Sequence, residues 1–272
     1  MLLVIVCLAG SLLVAWGQPG PQWLRETLNN LLLSLVASGI FALFSMAYIA
    51  YFLDPEEVQN DIVVAPSDLR AELDRVATQA KDYRIYVRSG RYFRADILPI
   101  LIKQAKVMRR PIALEVVLLD FRDQRICEKY AHFRKDSSFD SNHWSTEVVQ
   151  AEVLATALAV AQAVLNNPSN ISVSLYLSSR LSTFRIEGSS DEIIVTREDP
   201  KDFAYKFHHS NPEHSAYMTE FNWIKDDAAE VTMPTGASEE GLLARMFGPE
   251  IVSSQLEAAA KAALKGKAPY GR

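Results

Sequence analysis

Two short clusters in this chain place cations and small residues just past the end of an apolar run. Ser89, Gly90 and Arg91 follow the run YRIYV at 83–87, and Asp120 and Arg122 close the run IALEVVLLD at 112–120. In open α/β sheets, ligands collect outside the carboxyl ends of the strands. A guanidinium offers a fork of donors that matches phosphate oxygens. The chemistry these positions suggest is capture of a small anion such as a nucleotide. A plainer reading stands beside it: Asp120 and Arg122 neutralise each other, and Gly90 only permits a turn.

Signals for other chemistries are weaker. His143-Trp144 and His208-His209 offer metal-type side chains, but no HExxH, CxxC or facial-triad spacing accompanies them, and they read as surface histidines. There is no Walker loop or GxGxxG to support a nucleotide-hydrolysing motor, and no GxSxG elbow. No metal and no cofactor is therefore expected. The net charge is −5, yet residues 81–136 hold fourteen Lys/Arg against seven Asp/Glu. Such a stretch is either an anion-facing surface or the solvated faces of ordinary elements. Overall acidity argues against nucleic-acid binding.

These positions need elements to hold them. Residues 83–87 read as a strand, and 92–107 as a helix with Pro99 in or near its first turns. The run 112–120 has the continuous apolar character of a strand buried on both faces. Residues 144–165 form a helix whose part 151–164 is apolar nearly all round, so it belongs at the centre. Asn166, Asn167, Pro168 and Ser169 end it, and 171–177 is a third strand. Residues 183–186 and 192–196 make a hairpin around Gly188-Ser189-Ser190, and 213–227 is a helix carrying Phe221 and Trp223. This β-α-β-α-β order predicts an α/β layered domain. Pro66-Ser67-Asp68 opens a helix through Leu69, Leu73 and Val76. Two helices, 239–247 and 250–264, follow the domain, the last with an alanine face suited to packing back on it or on a partner subunit. A basic tail, 265–272, closes the chain.

Ahead of all this, residues 31–53 run 23 positions without a charge. A helix of that length is roughly 35 Å long, enough to cross a ~30 Å hydrocarbon core with some tilt. Ser34, Ser38, Gly39 and Ser45 are small residues of the kind that let membrane helices approach one another. Tyr48, Tyr51 and Phe52 suit the headgroup level, and Asp54, Glu56 and Glu57 stop the run. A second uncharged stretch, 2–16, is either a signal peptide cleaved near Ala15-Trp16-Gly17 or a first membrane helix anchored by Trp16 and Trp23. The missing basic n-region favours the second, and with it a two-helix transmembrane hairpin. Cys7 lies in that stretch and Cys127 stands alone in the soluble part, so no disulfide framework is expected there. A lone thiol suits a reducing compartment. The expected organisation is a transmembrane hairpin at 1–53, a linker and helix at 54–80, an α/β domain at 81–234 and C-terminal helices with the tail at 235–272.

The order of elements resembles a phospholipase D-like domain across residues 82–229. The opening strand-turn-helix YRIYVRSGRYFRADILPIL, the strand IALEVVLLD and the closing helix SAYMTEFNWIKDDA are similar to that superfamily's elements. The segment LYLSSRLSTFRIEGSSDEIIV resembles the stretch that carries its signature, His-x-Lys-x-x-x-x-Asp. In that signature the His attacks phosphorus and the Lys neutralises phosphate oxygens. Here the segment reads Thr183-Phe184-Arg185-Ile186-Glu187-Gly188-Ser189-Ser190-Asp191. Threonine stands where the family has its nucleophile, the acid is displaced by one, and Arg185 keeps the positive charge. His132-Phe133-Arg134 with Asp140 is a second near miss, out of register and expected in a loop. The resemblance implies a relative that keeps the fold and a cleft while losing hydrolysis. It adds Thr183 and Arg185 to Ser89, Arg91, Asp120 and Arg122 as the expected ligand-binding set, with no catalytic residue.

Three functional readings follow. The first is a non-enzymatic sensor-effector in a bacterial inner membrane, its soluble domain in the cytoplasm. It would act as a homo-oligomer that answers an anionic ligand or a partner protein. Modules of this plan resemble effectors of bacterial anti-phage systems that perturb the membrane. The second is a membrane-bound phosphodiesterase or lipid-modifying enzyme with His132 or His208 as a divergent nucleophile. The third is a scaffolding subunit.

Overall fold

The uncharged run near the N-terminus is helical. Helix α1 spans Gln22–Phe52 in a computed structural model that describes residues 22–52, 63–137, 143–197, 202–234 and 240–266. The stretch 2–16, with Cys7, and the tail 267–272 lie outside the described residues. The chain divides into two units, Met1–Gln59 and Asn60–Arg272. In α1, Leu33, Phe41, Phe44, Met46 and Ile49 are exposed.

The second unit is built on one mixed sheet. Its elements are β1 (Val63–Val64), α2 (Leu69–Gln79), β2 (Asp82–Tyr86), a π-helical turn (Phe93–Ile97) leading into α3 (Leu98–Met108), and β3 (Ile112–Leu119). There follow α4 (Gln124–Ser137), α5 (Thr146–Asn166), β4 (Ile171–Ser178), β5 (Phe184–Gly188), β6 (Glu192–Arg197) and β7 (Ala204–His208). The unit closes with α6 (Pro212–Asp226), β8 (Ala229–Val231), α7 (Leu242–Phe247) and α8 (Ser254–Leu264). Strand order is β1-β7-β6-β5-β2-β3-β4-β8. The central strands β2, β3 and β4 are parallel, and every other pairing is antiparallel. The expected α/β class with a mixed sheet is therefore present.

Parity along each strand decides what meets which layer. On one face Ile85, Val116 and Leu175 pack with Leu73 and Val76 of α2, Phe93 and Ile97 of the π turn, Leu154 of α5 and Ala260 of α8. On the other, Tyr86, Val117 and Ile186 pack with Phe221 and Ile224 of α6. Helix α5 is buried on nearly every side, as its composition predicted. It is the one helix among the described residues long and apolar enough to cross a membrane, yet 67% of its apolar window is buried inside the domain. The segment Val36–Ile49 of α1 is a shorter apolar helical stretch.

Pro99 shapes the helix after β2. Having no N–H, it breaks the regular hydrogen-bond ladder. The turn ahead of it is widened, with the Leu98 N–H reaching back to the Phe93 carbonyl.

Several elements differ from the sequence expectation. His132 lies in helix α4, not in a loop; the helix is amphipathic and sends Ile126, Cys127 and Tyr130 into the core. The strands β1, β7 and β8 carry too little apolar alternation to announce themselves. They are edge or near-edge strands fixed by main-chain pairing with β7, β6 and β4 respectively. Helix α2 and the C-terminal helices α7 and α8 all join the same core.

Candidate functional site

The carboxyl ends of β2, β3 and β4 share one end of the sheet with the start of β5, because β5 runs antiparallel to β2 with Tyr86 opposite Ile186. All six expected ligand residues lie at or beside this end, but they serve different roles there. Ser89 is buried, and its carbonyl accepts a hydrogen bond from the Thr156 hydroxyl of α5. Gly90 has φ +68°, and a Cβ there would stand 2.8 Å from Thr156 Cγ2. Only glycine combines that backbone with so close an approach to α5. Arg91 Nε lies 3.9 Å from Glu152 of the same helix. The first cluster is thus turned toward the helical layer.

Asp120 and Arg122 are brought together. The Arg122 guanidinium donates to both carboxylate oxygens, at 2.8 and 2.7 Å. That bidentate pair is the mutual neutralisation set out as the plainer reading, and Asp120 holds the Arg122 guanidinium above its ordinary pKa. Thr183 is exposed one residue before β5. Arg185 is the second residue of β5, opposite Thr196 of β6. It shares a strand face with Glu187, whose negative form its charge favours.

The structure adds residues that the sequence reading passed over. Arg88, the residue before Ser89, is 3% exposed. It follows Tyr86 at strand parity, and both it and Arg180 stand close enough to the Tyr86 phenol to favour its ionised form. Burial acts the other way and prevails, holding that phenol above its ordinary range. The Tyr86 hydroxyl donates to the Arg180 carbonyl at 2.8 Å. Arg180 in turn pairs with Glu220 of α6 at 2.9 Å, and the Ser178 hydroxyl accepts from the Arg180 N–H. The α6 side of this sheet end is therefore lined by Tyr86, Arg88, Arg180 and Glu220. The signal was present in the sequence, since Arg88 and Arg180 each lie just past a strand. It was masked by the serine and glycine beside them, which looked more like ligand-loop residues.

Chemically such a set suits anions, because guanidiniums and hydroxyls donate in fixed directions to phosphate or carboxylate oxygens. Among the described residues, none of the strand termini at this end is a histidine. His208 ends β7 at the opposite end of the sheet, where it pairs in register with Glu192. Its ring centroid lies 4.1 Å from that of His209, and its Nδ1 meets the Ser210 hydroxyl. His214, at the start of α6, is buried, and burial with the neighbouring His209 and His208 holds its imidazole below the ordinary pKa. His132 is exposed on α4 with Asp136 at 3.2 Å. The two histidines named as alternative nucleophiles therefore stand on separate elements. No group of three His, Cys, Asp or Glu suited to a metal ion occurs among the described residues. Comparison with protein-family models, with curated proteins and with solved structures finds no match to this chain.

Proposed function

We propose that this chain is a membrane-anchored, non-catalytic sensor-effector whose α/β unit responds to a small anion of nucleotide type. Helix α1 serves as the anchor: it carries the apolar stretch Val36–Ile49 and leaves Phe41 and Phe44 about three-quarters exposed, at 74% and 73%. Surface of that kind is covered by lipid or by other copies of the helix. The observation that carries the sensing part is Arg88, a buried cation at the mouth of the parallel strands with Tyr86 and Arg180 beside it. The guanidiniums of Arg88 and Arg180 offer forked donors matched to phosphate or carboxylate oxygens. Ligand acts by binding the resting and assembled states with different affinity, since equal affinity shifts nothing. In a bacterial inner membrane, assembly of such anchors would perturb the bilayer, as in the anti-phage effectors this plan resembles.

The test is thermal melting of the purified full chain with inorganic phosphate, nucleoside monophosphates and nucleoside triphosphates. At least one should raise the melting temperature, and Arg180→Glu should remove the rise while leaving the unliganded melt in place. Unchanged melts across the set would sink the sensing role. Turnover of a phosphodiester by the pure chain would replace it with an enzyme.

A further inference from the structure

The end of the sheet opposite Arg88 carries a second basic feature, at the tip of α3. Lys106, Val107, Met108, Arg109, Arg110 and Pro111 are consecutive and all exposed, with Lys103 exposed one turn earlier. Val107 and Met108 are large apolar side chains left 68% and 40% accessible. Lys103, Lys106 and Val107 recur at helical spacing, so they share one face, and Arg110 follows just past the helix end. Among the described residues, none of the four cations forms an ion pair. Acids at the same end are already matched, Asp82 by Arg84 and Asp191 by Lys81.

The backbone there is unusual too. Arg109 is the only non-glycine residue with positive φ among the described residues, at +50°. It occupies the left-handed position that closes a helix, with the Arg110 N–H bonded back to the Ala105 carbonyl. Glycine is the usual occupant of such a site. Cations do favour a helix C-terminus through the macrodipole. That effect accounts for one or two charges in the last turn; it gives no reason for two bare apolar side chains among four cations.

Helix α3 ends where β3 begins, at the same end of the sheet as His208. We infer that the α3 tip is a docking surface for anionic lipid headgroups, with Val107 and Met108 entering the interface and Lys103, Lys106, Arg109 and Arg110 facing phosphates. Basic residues flanking exposed apolar ones are the recognisable form of such a surface. The inference rests on the membrane reading proposed above.

The test uses the full chain in vesicles, with Cys7→Ser and a bimane label on Val107→Cys. Cys127 is buried, and burial pushes its thiol up to about 12, so it does not compete for the label. Lipid-borne nitroxide should quench the label in vesicles rich in phosphatidylglycerol at least about threefold more than in phosphatidylcholine alone. The variant Lys106→Glu, Arg109→Gly, Arg110→Glu should lose that difference, and its glycine relieves the left-handed site, so folding is retained. A second label on Thr219→Cys, exposed on α6, should respond to neither lipid. Equal quenching in both lipids, or none, overturns the inference. Loss of quenching together with RNA binding that the same variant abolishes overturns it in favour of a nucleic acid. If the chain resists alkaline extraction from neither vesicle, the anchor reading fails separately. Flotation of the unanchored chain with phosphatidylglycerol vesicles then decides the docking surface alone.

Discussion

Glu187 sits where a carboxylate is least at home. It is 5% exposed in β5, directly opposite Ile85, and burial pushes its carboxyl up to about 7 against the partial relief of Arg185. The folded chain therefore keeps a proton that the unfolded chain releases from about pH 4.5 upward. Stability from this residue is intact below that value, declines as pH rises to 7, and is gone above it. Glu187→Gln should match the parent near pH 4.5 and exceed it by up to roughly 3 kcal/mol at pH 8. Urea melts across that window measure the gap; a gap that does not change with pH refutes the assignment. Gly90 makes a second prediction at this scale. Gly90→Ala forces a side chain into φ +68° and onto Thr156, and should cost about 2 kcal/mol or more, read by the same melts.

Between elements, one buried ion pair ties three helical pieces together. Arg94 of the π turn bonds Glu152 and Thr156 of α5 and the Ala263 carbonyl near the end of α8. Its side chain is 2% exposed and that of Glu152 6%. Burial pulls the Arg94 guanidinium below its ordinary pKa, and Glu152 restores part of that. Removing only one partner leaves a charge with nowhere to go. Glu152→Ala should cost about 3–5 kcal/mol, whereas Arg94→Met with Glu152→Leu should cost far less or nothing. Chemical denaturation of the two variants distinguishes a pair that stabilises the fold from one that fixes the angle of α8 against α5. Equal losses in both would show that packing volume, not charge, holds the joint.

For the whole molecule the decisive question is what covers α1. If it spans a bilayer, the full chain resists alkaline extraction, and Phe41→Arg with Phe44→Arg releases it. A cation at a helix centre costs about 2.5–3.5 kcal/mol on insertion scales, so two together outweigh the gain from the remaining apolar residues near them. Fractionation after alkaline wash reads the outcome, and a parent chain found wholly in the supernatant ends the anchor reading. Because the sheet's two ends carry different chemistry, this result also separates the roles. Loss of membrane binding with an intact anion-dependent melt would leave the α/β unit as a sensor without its anchor.

The amino-acid sequence by itself determined the apolar framework. The uncharged run became α1, the alanine-rich run became the central helix α5, and the three apolar strands became the parallel core, because burial follows local composition and period. The β5–β6 hairpin was legible for the same reason, from Gly188 and the serines after it. What only the tertiary structure decided was which residues face each other. Arg88 rather than Ser89 lines the sheet end with Tyr86 because strand parity sends alternate residues to opposite layers, and the packing of α6 settles which layer is which. Asp120 could reach Arg122 or a ligand on sequence grounds, and the loop geometry gave it to Arg122. Edge strands such as β1 and β8 exist only through main-chain bonds to distant partners, a term no local window contains.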